Sequence, residues 1–534
     1  MGRMTGSPQA RDDFHVYDVT LRDGTQQEGL SPSVADKLAV ARLLDELGVG
    51  FVEGGWPGAN PKDAEFFARA KTELALTTAR LAAFGATRRA GAVAADDPQV
   101  AALREAETPV VCLVAKSDSR HVERALRVPL AENLAMVRDT VAHLRSEGRR
   151  VFLDCEHFFD GYTADPAYAL EVVRTAAEAG ADVVVLCDTN GGMLPTRLGR
   201  IVGEVAAATG ARLGIHCQDD TGCAVANTLA AVEAGATHVQ VTANGYGERT
   251  GNADLFSVVG GLQTKMGVPA LPDGRLAEST RISHAIAEVF NRAPDPHHPY
   301  VGVSAFAHKA GLHASAIKVD PNLYQHLDPA VVGNDMRMLV SELAGRATVE
   351  LKAKELGVDV PRDAAGRVVE KVKQLESRGW VFEAAEASFE LLLRDEVAGE
   401  HQRYFDLESW RVIVESRADG EPVSEATVKL HAKGERIVAT GEGNGPVNAL
   451  DTALRLALRE LYPGLAALEL VDYKVRIVEG AHGTGAVTRV LVETSDGQRS
   501  WSTVGVHENV VQASWQALED AVTYGLLRQG EEPA

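Results

Sequence analysis

The sequence predicts an α/β protein made of a (β/α)8 TIM barrel, a mostly helical linker subdomain and a C-terminal duplicated α+β domain. Three observations carry this. Between residues 15 and 260, short apolar β-rich runs alternate repeatedly with longer helical ones, as a barrel requires. Several helical runs end on glycine just ahead of a buried strand, as in LGV, AGA and AGA. Past residue 405, three strand-like runs followed by one helical run occur twice, the mark of an internal duplication.

Taken in order, residues 1–12 read as a disordered leader, because MGRMTGSPQARDD has no apolar signal core. The barrel is placed over 13–280. Its strands are HVYDVTL, FVEGG, ARLAAFG, PVVCLVA, RVFLDCE, ADVVVLCD, RLGIHC and THVQVTA, with helices such as ADKLAVARLLDELG and PAYALEVVRTAAEAGA between them. Residues 281–404 form the helical linker, including RATVELKAKELG and DAAGRVVEKVKQLESRG. Residues 405–530 carry the duplicated unit, with no obvious catalytic cluster, so binding or assembly is its expected task. The glycines of GEGNGP and GAHGTGA lack the strand–helix fingerprint and lysine of a phosphate loop and read as turns.

At 534 residues the chain exceeds one compact core. A formal net charge of −21 disfavours nucleic acid and anionic membrane as partners, while leaving room for a local positive pocket. No apolar run is long enough to span a bilayer. Cys112, Cys155, Cys187, Cys217 and Cys223 are scattered with no CxxC pair, which fits buried thiols in a reducing cytoplasm.

In a barrel of this kind the working residues gather where strands end. Here the strand ends carry Arg22-Asp23-Gly24, Glu53-Gly-Gly, Asp154-Cys-Glu156-His157, Asp188-Thr189-Asn190, His216-Cys-Gln218 and Asn244-Gly-Tyr-Gly-Glu248-Arg249, with Asn252 following. Residues 216 and 218 fall on the same side of a strand, so both can face one cation. Plainer readings stand beside these. Asp23 could cap a helix, Arg22 and Glu53 could be only an ion pair, Glu156 could form a rim salt bridge, and Thr189 could satisfy a turn. Cys217 and Cys223 read as packing residues, since nothing marks them as activated.

DVTLRDGTQ, EGGWPGANPKDAEFF, EHFFDGY, LCDTNGG and NGYGERTGN together resemble the DRE-TIM metallolyase (alpha-isopropylmalate/homocitrate synthase) family, closest to its citramalate-forming branch, over roughly residues 12 to 528. The C-terminal unit resembles that family's allosteric LeuA dimerisation domain. The resemblance implies an acyltransferase that condenses acetyl-CoA with a 2-oxo acid, pyruvate in that branch, then hydrolyses the thioester, on the way to isoleucine through 2-oxobutanoate. It implies a divalent cation (Mg, Mn or Zn) on Asp23 and His216, with Asn252 as a weaker oxygen ligand or a partner of the ligands, and Gln218 at the remaining position. Arg22 would stabilise the alkoxide, Glu53 would hold Arg22, and Thr189 would bind the substrate carboxylate. Glu156 and His313 would share the enolising base work, with Tyr324 nearby on a segment that reaches a partner's site in a homodimer. An amino-acid effector at the C-terminal domain is part of the same expectation.

The chain departs from the family at several places. His216-Cys-Gln218-Asp-Asp220 stands where His-x-His-Asn-Asp is usual, and the neutral glutamine carbonyl implies a weaker site that favours a hard cation, one rebuilt with Asp219 or Asp220, or a lost site. Val241 and Cys155 replace a small glycine and alanine, Lys116–Arg120 lacks a tryptophan, and His507-Glu508 replaces a Ser-x-Asn turn. These changes leave open a paralogous synthase for another 2-oxo acid, or a catalytically impaired effector-binding subunit.

Overall fold

The structure, a computed structural model, describes residues 12–533 apart from 417–419, 421, 479–482 and 484. The expected leader, residue 12 excepted, and most of the GAHGTGA turn lie outside the described residues.

Eight parallel strands close into a barrel in sequence order: β1 His15–Asp18, β2 Phe51–Glu53, β3 Arg80–Ala86, β4 Val110–Lys116, β5 Arg150–Glu156, β6 Val183–Asp188, β7 Leu213–Cys217 and β8 His238–Val241. Strand alternation builds two apolar layers. Tyr17, Phe51, Phe84, Cys112, Phe152 and Val185 point inward and plug the barrel. Their neighbours Val16, Val52, Val111, Leu153, Val184 and Val239 point outward onto the helices. The helix Val34–Leu47 shows how sequence sets these elements. Ser33 Oγ accepts from the Asp36 amide while the Asp36 carboxylate accepts from the Ser33 amide, a reciprocal cap. It ends at Gly48 with φ 94°, where a Cβ would come within 2.6 Å of Pro272.

The first strand is shorter than the run HVYDVTL suggests. The Asp18 carboxylate accepts both the amide and the hydroxyl of Thr20 at 2.9 Å, and this local turn ends β1. The curl that follows delivers Arg22 and Asp23 to the barrel mouth.

The chain forms two compact units: residues up to Phe306 together with Leu327–Asp335, and Ala307–His326 together with the residues from Met336 on. In the second, β9 (Ala307–His308) pairs with β10 (Arg337–Met338), and helices span Gly311–Ile317, Arg346–Glu355, Arg362–Glu376 and Glu386–Ala398. The duplication is plain. β11 (Asp406–Ser416), β12 (Pro422–Ala432) and β13 (Glu435–Gly443) form an antiparallel sheet followed by the helix Pro446–Leu458. β14 (Glu469–Ile477), β15 (Thr488–Ser495) and β16 (Ser500–His507) repeat it, followed by the helix Val510–Gln529. Val428, Leu430, Leu454, Val492, Trp515 and Leu518 share one core between the repeats. Among the described residues no helix is long and apolar enough to cross a membrane, and all five cysteines are free.

Candidate active site

A pocket of 630 Å³ opens over the carboxyl ends of the barrel strands. Arg22, Asp23, Glu156, Thr189, His216 and Gln218 line it. Arg22 is gripped from three directions. Its Nε donates to Glu53 Oε1 at 2.6 Å, its Nη1 donates to Asp23 Oδ2 at 3.0 Å, and its guanidinium lies 4.0 Å from the centre of the Phe84 ring. Burial alone would lower its pKa, but Glu53, Asp23 and Asp154 outweigh that and raise it, so the group stays protonated. Glu53 is fully buried and accepts a second hydrogen bond from the Tyr17 hydroxyl at 2.6 Å. The arginine–glutamate pair is thus one member of a longer inward-facing chain.

Asp23 precedes a short 3-10 turn but its side chain caps nothing. Instead Oδ2 lies 3.5 Å from His216 Nε2, and Oδ1 accepts from Asn252 Nδ2 at 3.3 Å. Burial pushes its pKa up, yet Arg22, His216, Asn252 and Gln218 together hold it below the usual carboxylate range. Gln218 lies across an isolated antiparallel bridge from Asn252. Asn252 is held there by a turn that needs glycine. Gly251 has φ 97°, and a Cβ on it would come 2.0 Å from the Gly245 carbonyl oxygen.

The donor set suits a hard divalent cation. Gln218 Oε1 and Asn252 Oδ1 are buried with no hydrogen-bond partner, beside one carboxylate and one imidazole nitrogen. Such orphaned carbonyl oxygens are costly unless a ligand takes them up. Among the described residues no group of three or more His, Cys, Asp or Glu is placed to hold a metal ion, which follows from two of these four donors being amides. Neither neighbouring aspartate rebuilds the site. Asp219 accepts from the Ala224 amide at 2.8 Å, and Asp220 pairs with Arg249 at 2.8 Å.

Glu156 ends β5 and pairs with Lys116. Thr189 Oγ1 accepts the His157 amide at 2.8 Å, so it does satisfy a turn, and its own hydrogen remains for a further partner. His313 and Tyr324 belong to the second compact unit, where their rings stack with centroids 4.1 Å apart. Two of the sequence departures lie elsewhere than the mouth. Cys155 and Val241 are fully buried in the outward layer against the helices, so they do not narrow the pocket. His507 ends β16, and its Nδ1 accepts the amide of Asn509, the residue that caps the last helix.

Beneath these residues runs an inward chain in which sequence reasoning named Asp154 at a strand end without giving it a role and did not connect Tyr17, Cys112 or Gln240 to the site. Period-two alternation marks each as inward-facing, but their partners lie on other strands.

A closed barrel with an arginine, a carboxylate, an imidazole and two amides gathered at its mouth carries the donors that a cation-dependent enzyme would need. Residues 13–284 match the HMGL-like family model, 300–379 the homocitrate synthase post-HMGL domain-like model, and 383–526 the LeuA allosteric (dimerisation) domain model. The chain belongs to the HMGL-like family, the DRE-TIM metallolyases. It is 68% identical to the (R)-citramalate synthase of Streptomyces coelicolor, over 99% of this chain and 100% of that protein. It is 48% identical to the (R)-citramalate synthase of Aquifex aeolicus, over 97% of this chain and 98% of that one. A 2-isopropylmalate synthase of Methanocaldococcus jannaschii is more distant, 29% identical over 97% of this chain and 96% of that protein.

Proposed function

We propose that the barrel condenses acetyl-CoA with pyruvate and hydrolyses the thioester, releasing (R)-citramalate and CoA for isoleucine biosynthesis. The observation that carries this is the meeting of a protonated Arg22 with Asp23, His216, Gln218 and Asn252 in a chain 68% identical to an (R)-citramalate synthase along its whole length. Asp23, His216, Gln218 and Asn252 would hold a divalent cation, which would supply Lewis acidity toward the 2-oxo acid carbonyl, and the glutamine carbonyl would favour magnesium or manganese over zinc.

The remaining work falls to side chains. Arg22, fixed by Glu53 and Asp23, directs its free N–H groups at the oxygen that becomes the alkoxide. Thr189 gives its hydroxyl hydrogen to the substrate carboxylate. Glu156 takes a proton from the acetyl methyl group, with His313 and Tyr324 of a second copy assisting. The methyl carbon bonds to C2 of pyruvate, the carbonyl oxygen gains a proton, and water then cleaves the C–S bond to leave a carboxylate and the CoA thiol.

The C-terminal domain supports a homodimer, and its 920 Å³ cavity, lined by Asn444, Asn448, Arg455, Leu468 and Tyr473, is the seat for an amino-acid effector. The five free cysteines fit a cytoplasmic enzyme.

The test is acetyl-CoA-dependent thiol release with pyruvate and a panel of 2-oxo acids, in chelated buffer and with magnesium, manganese or zinc restored. Metal-restored release with pyruvate is the expected result. Preference for another acid, or silence from folded protein, overturns it.

A further inference from the structure

His216 has two ring nitrogens, and only one can face the cluster with a free lone pair. Nε2 points at Asp23 Oδ2, 3.5 Å away, while Nδ1 lies 2.8 Å from Gln240 Oε1. Gln240 is the register partner of His216 on β8, so the barrel itself sets this contact. The other end of the Gln240 amide donates from Nε2 to Asp154 Oδ1 at 2.7 Å. The same Asp154 oxygen accepts from the Cys112 thiol at 3.2 Å. All of these groups are buried.

The hydrogen positions follow from donor and acceptor chemistry. A carboxylate oxygen that already receives a thiol hydrogen accepts only, so the NH2 end of Gln240 must face Asp154. Its carbonyl then faces His216, and a carbonyl can only accept. Nδ1 must therefore carry the hydrogen, which in the neutral ring that a metal ligand has to be leaves the Nε2 lone pair aimed into the cluster. Turned over, the amide would present N–H to Nδ1, put the hydrogen on Nε2 and remove the lone pair.

We propose that Gln240 is a positioning residue that sets the His216 tautomer for metal binding, with Asp154 fixing which way Gln240 points. This rests on the metal-assisted reading of the site. Neither residue touches the reacting atoms in this role; both act through His216.

The experiment is manganese binding to the full-length, metal-stripped protein, followed by electron paramagnetic resonance, with nitrogen-15 spectra of the histidine rings read on the same samples. Gln240→Met keeps the volume and removes the strong acceptor, and should weaken manganese binding about tenfold or more. Asp154→Asn leaves Gln240 in place but lets its amide turn over, and should lose a similar factor while moving the His216 signal to the other tautomer. Gln240→Glu can share one proton with Asp154 and still accept from Nδ1, so it should retain most of the affinity. If Gln240→Met fails to fold, the Asp154→Asn and Gln240→Glu pair carries the test. Wild-type affinity in folded Gln240→Met or Asp154→Asn overturns the relay alone, as does a loss in Gln240→Glu equal to that in Gln240→Met, which would mark packing as the cause. Failure of the wild-type protein to bind manganese overturns the metal reading and the relay together.

Discussion

Gln218 and Asn252 face each other across an isolated antiparallel bridge, and each leaves its amide carbonyl oxygen buried with no hydrogen-bond partner. Asn252 spends its NH2 group on Asp23 and the Tyr246 carbonyl, at 3.3 and 3.1 Å, and Gln218 turns its NH2 end to His216 Nε2 at 3.5 Å, so neither carbonyl oxygen receives a hydrogen. Two neutral oxygens beside one carboxylate and one imidazole form a harder donor set than paired histidines would.

Gln218→His should therefore shift preference toward zinc, seen as a rise in zinc affinity relative to manganese in a competition titration. Gln218→Leu should bind both metals more weakly. Unchanged ratios in the histidine variant would mean that residue 218 does not face the metal.

Arg22 is held by two carboxylates and an aromatic face at once. Lysine offers one charge without the planar fork, so Arg22→Lys should lower kcat about a hundredfold while changing KM for pyruvate far less. Asp23→Ala should abolish thiol release and metal binding together. Steady-state kinetics on protein with wild-type circular dichroism checks both, and near-normal kcat in Arg22→Lys would remove the alkoxide role.

Cys155 and Val241 both turn into the barrel–helix layer, away from the pocket. Val241→Gly should cost about 3 kcal/mol through a cavity and a looser strand. It should leave the order of 2-oxo acid preference as it is. A lowered thermal midpoint with an unchanged substrate panel is the expected pair of results, and altered preference would return Val241 to the pocket wall.

Much of this was legible in the sequence because strand period and strand ends are local properties. The eight apolar runs, the glycine stops and the Arg22-Asp23 and His216-Gln218 spacings each need only neighbouring residues to be read. The same period, applied to Asp154-Cys155-Glu156, places Cys155 opposite its two neighbours, so its outward direction was available from the sequence. What was not available is register. That Gln240 meets His216, or that Tyr17 donates to Glu53, depends on how far one strand slides against another, and distant side chains decide that. The length of β1 was likewise hidden, since the Asp18–Thr20 hydrogen bonds compete with the strand ladder on geometric terms that composition does not show.

The amino end of the barrel holds a pH-dependent element of stability. His15 is buried, its Nε2 within 3.2 Å of Arg150 and 3.1 Å of Arg212, and its Nδ1 lies 3.2 Å from His238 Nδ1. Asp12 and Asp182 are the carboxylates facing it. Burial, then Arg212 and Arg150, push the His15 pKa down to about 4. An unfolded histidine titrates near 6.5, so between those values the unfolded chain holds a proton that the folded one refuses. Stability is thus full above about pH 6.5 and falls as pH drops toward 4, by at most about 3 kcal/mol from this residue. His15→Gln keeps an acceptor for the arginines and cannot titrate. Its thermal midpoint should lie below wild type at pH 7.5, and the gap should close as pH approaches 4.5. A constant gap across that range would show that His15 is protonated in the folded barrel.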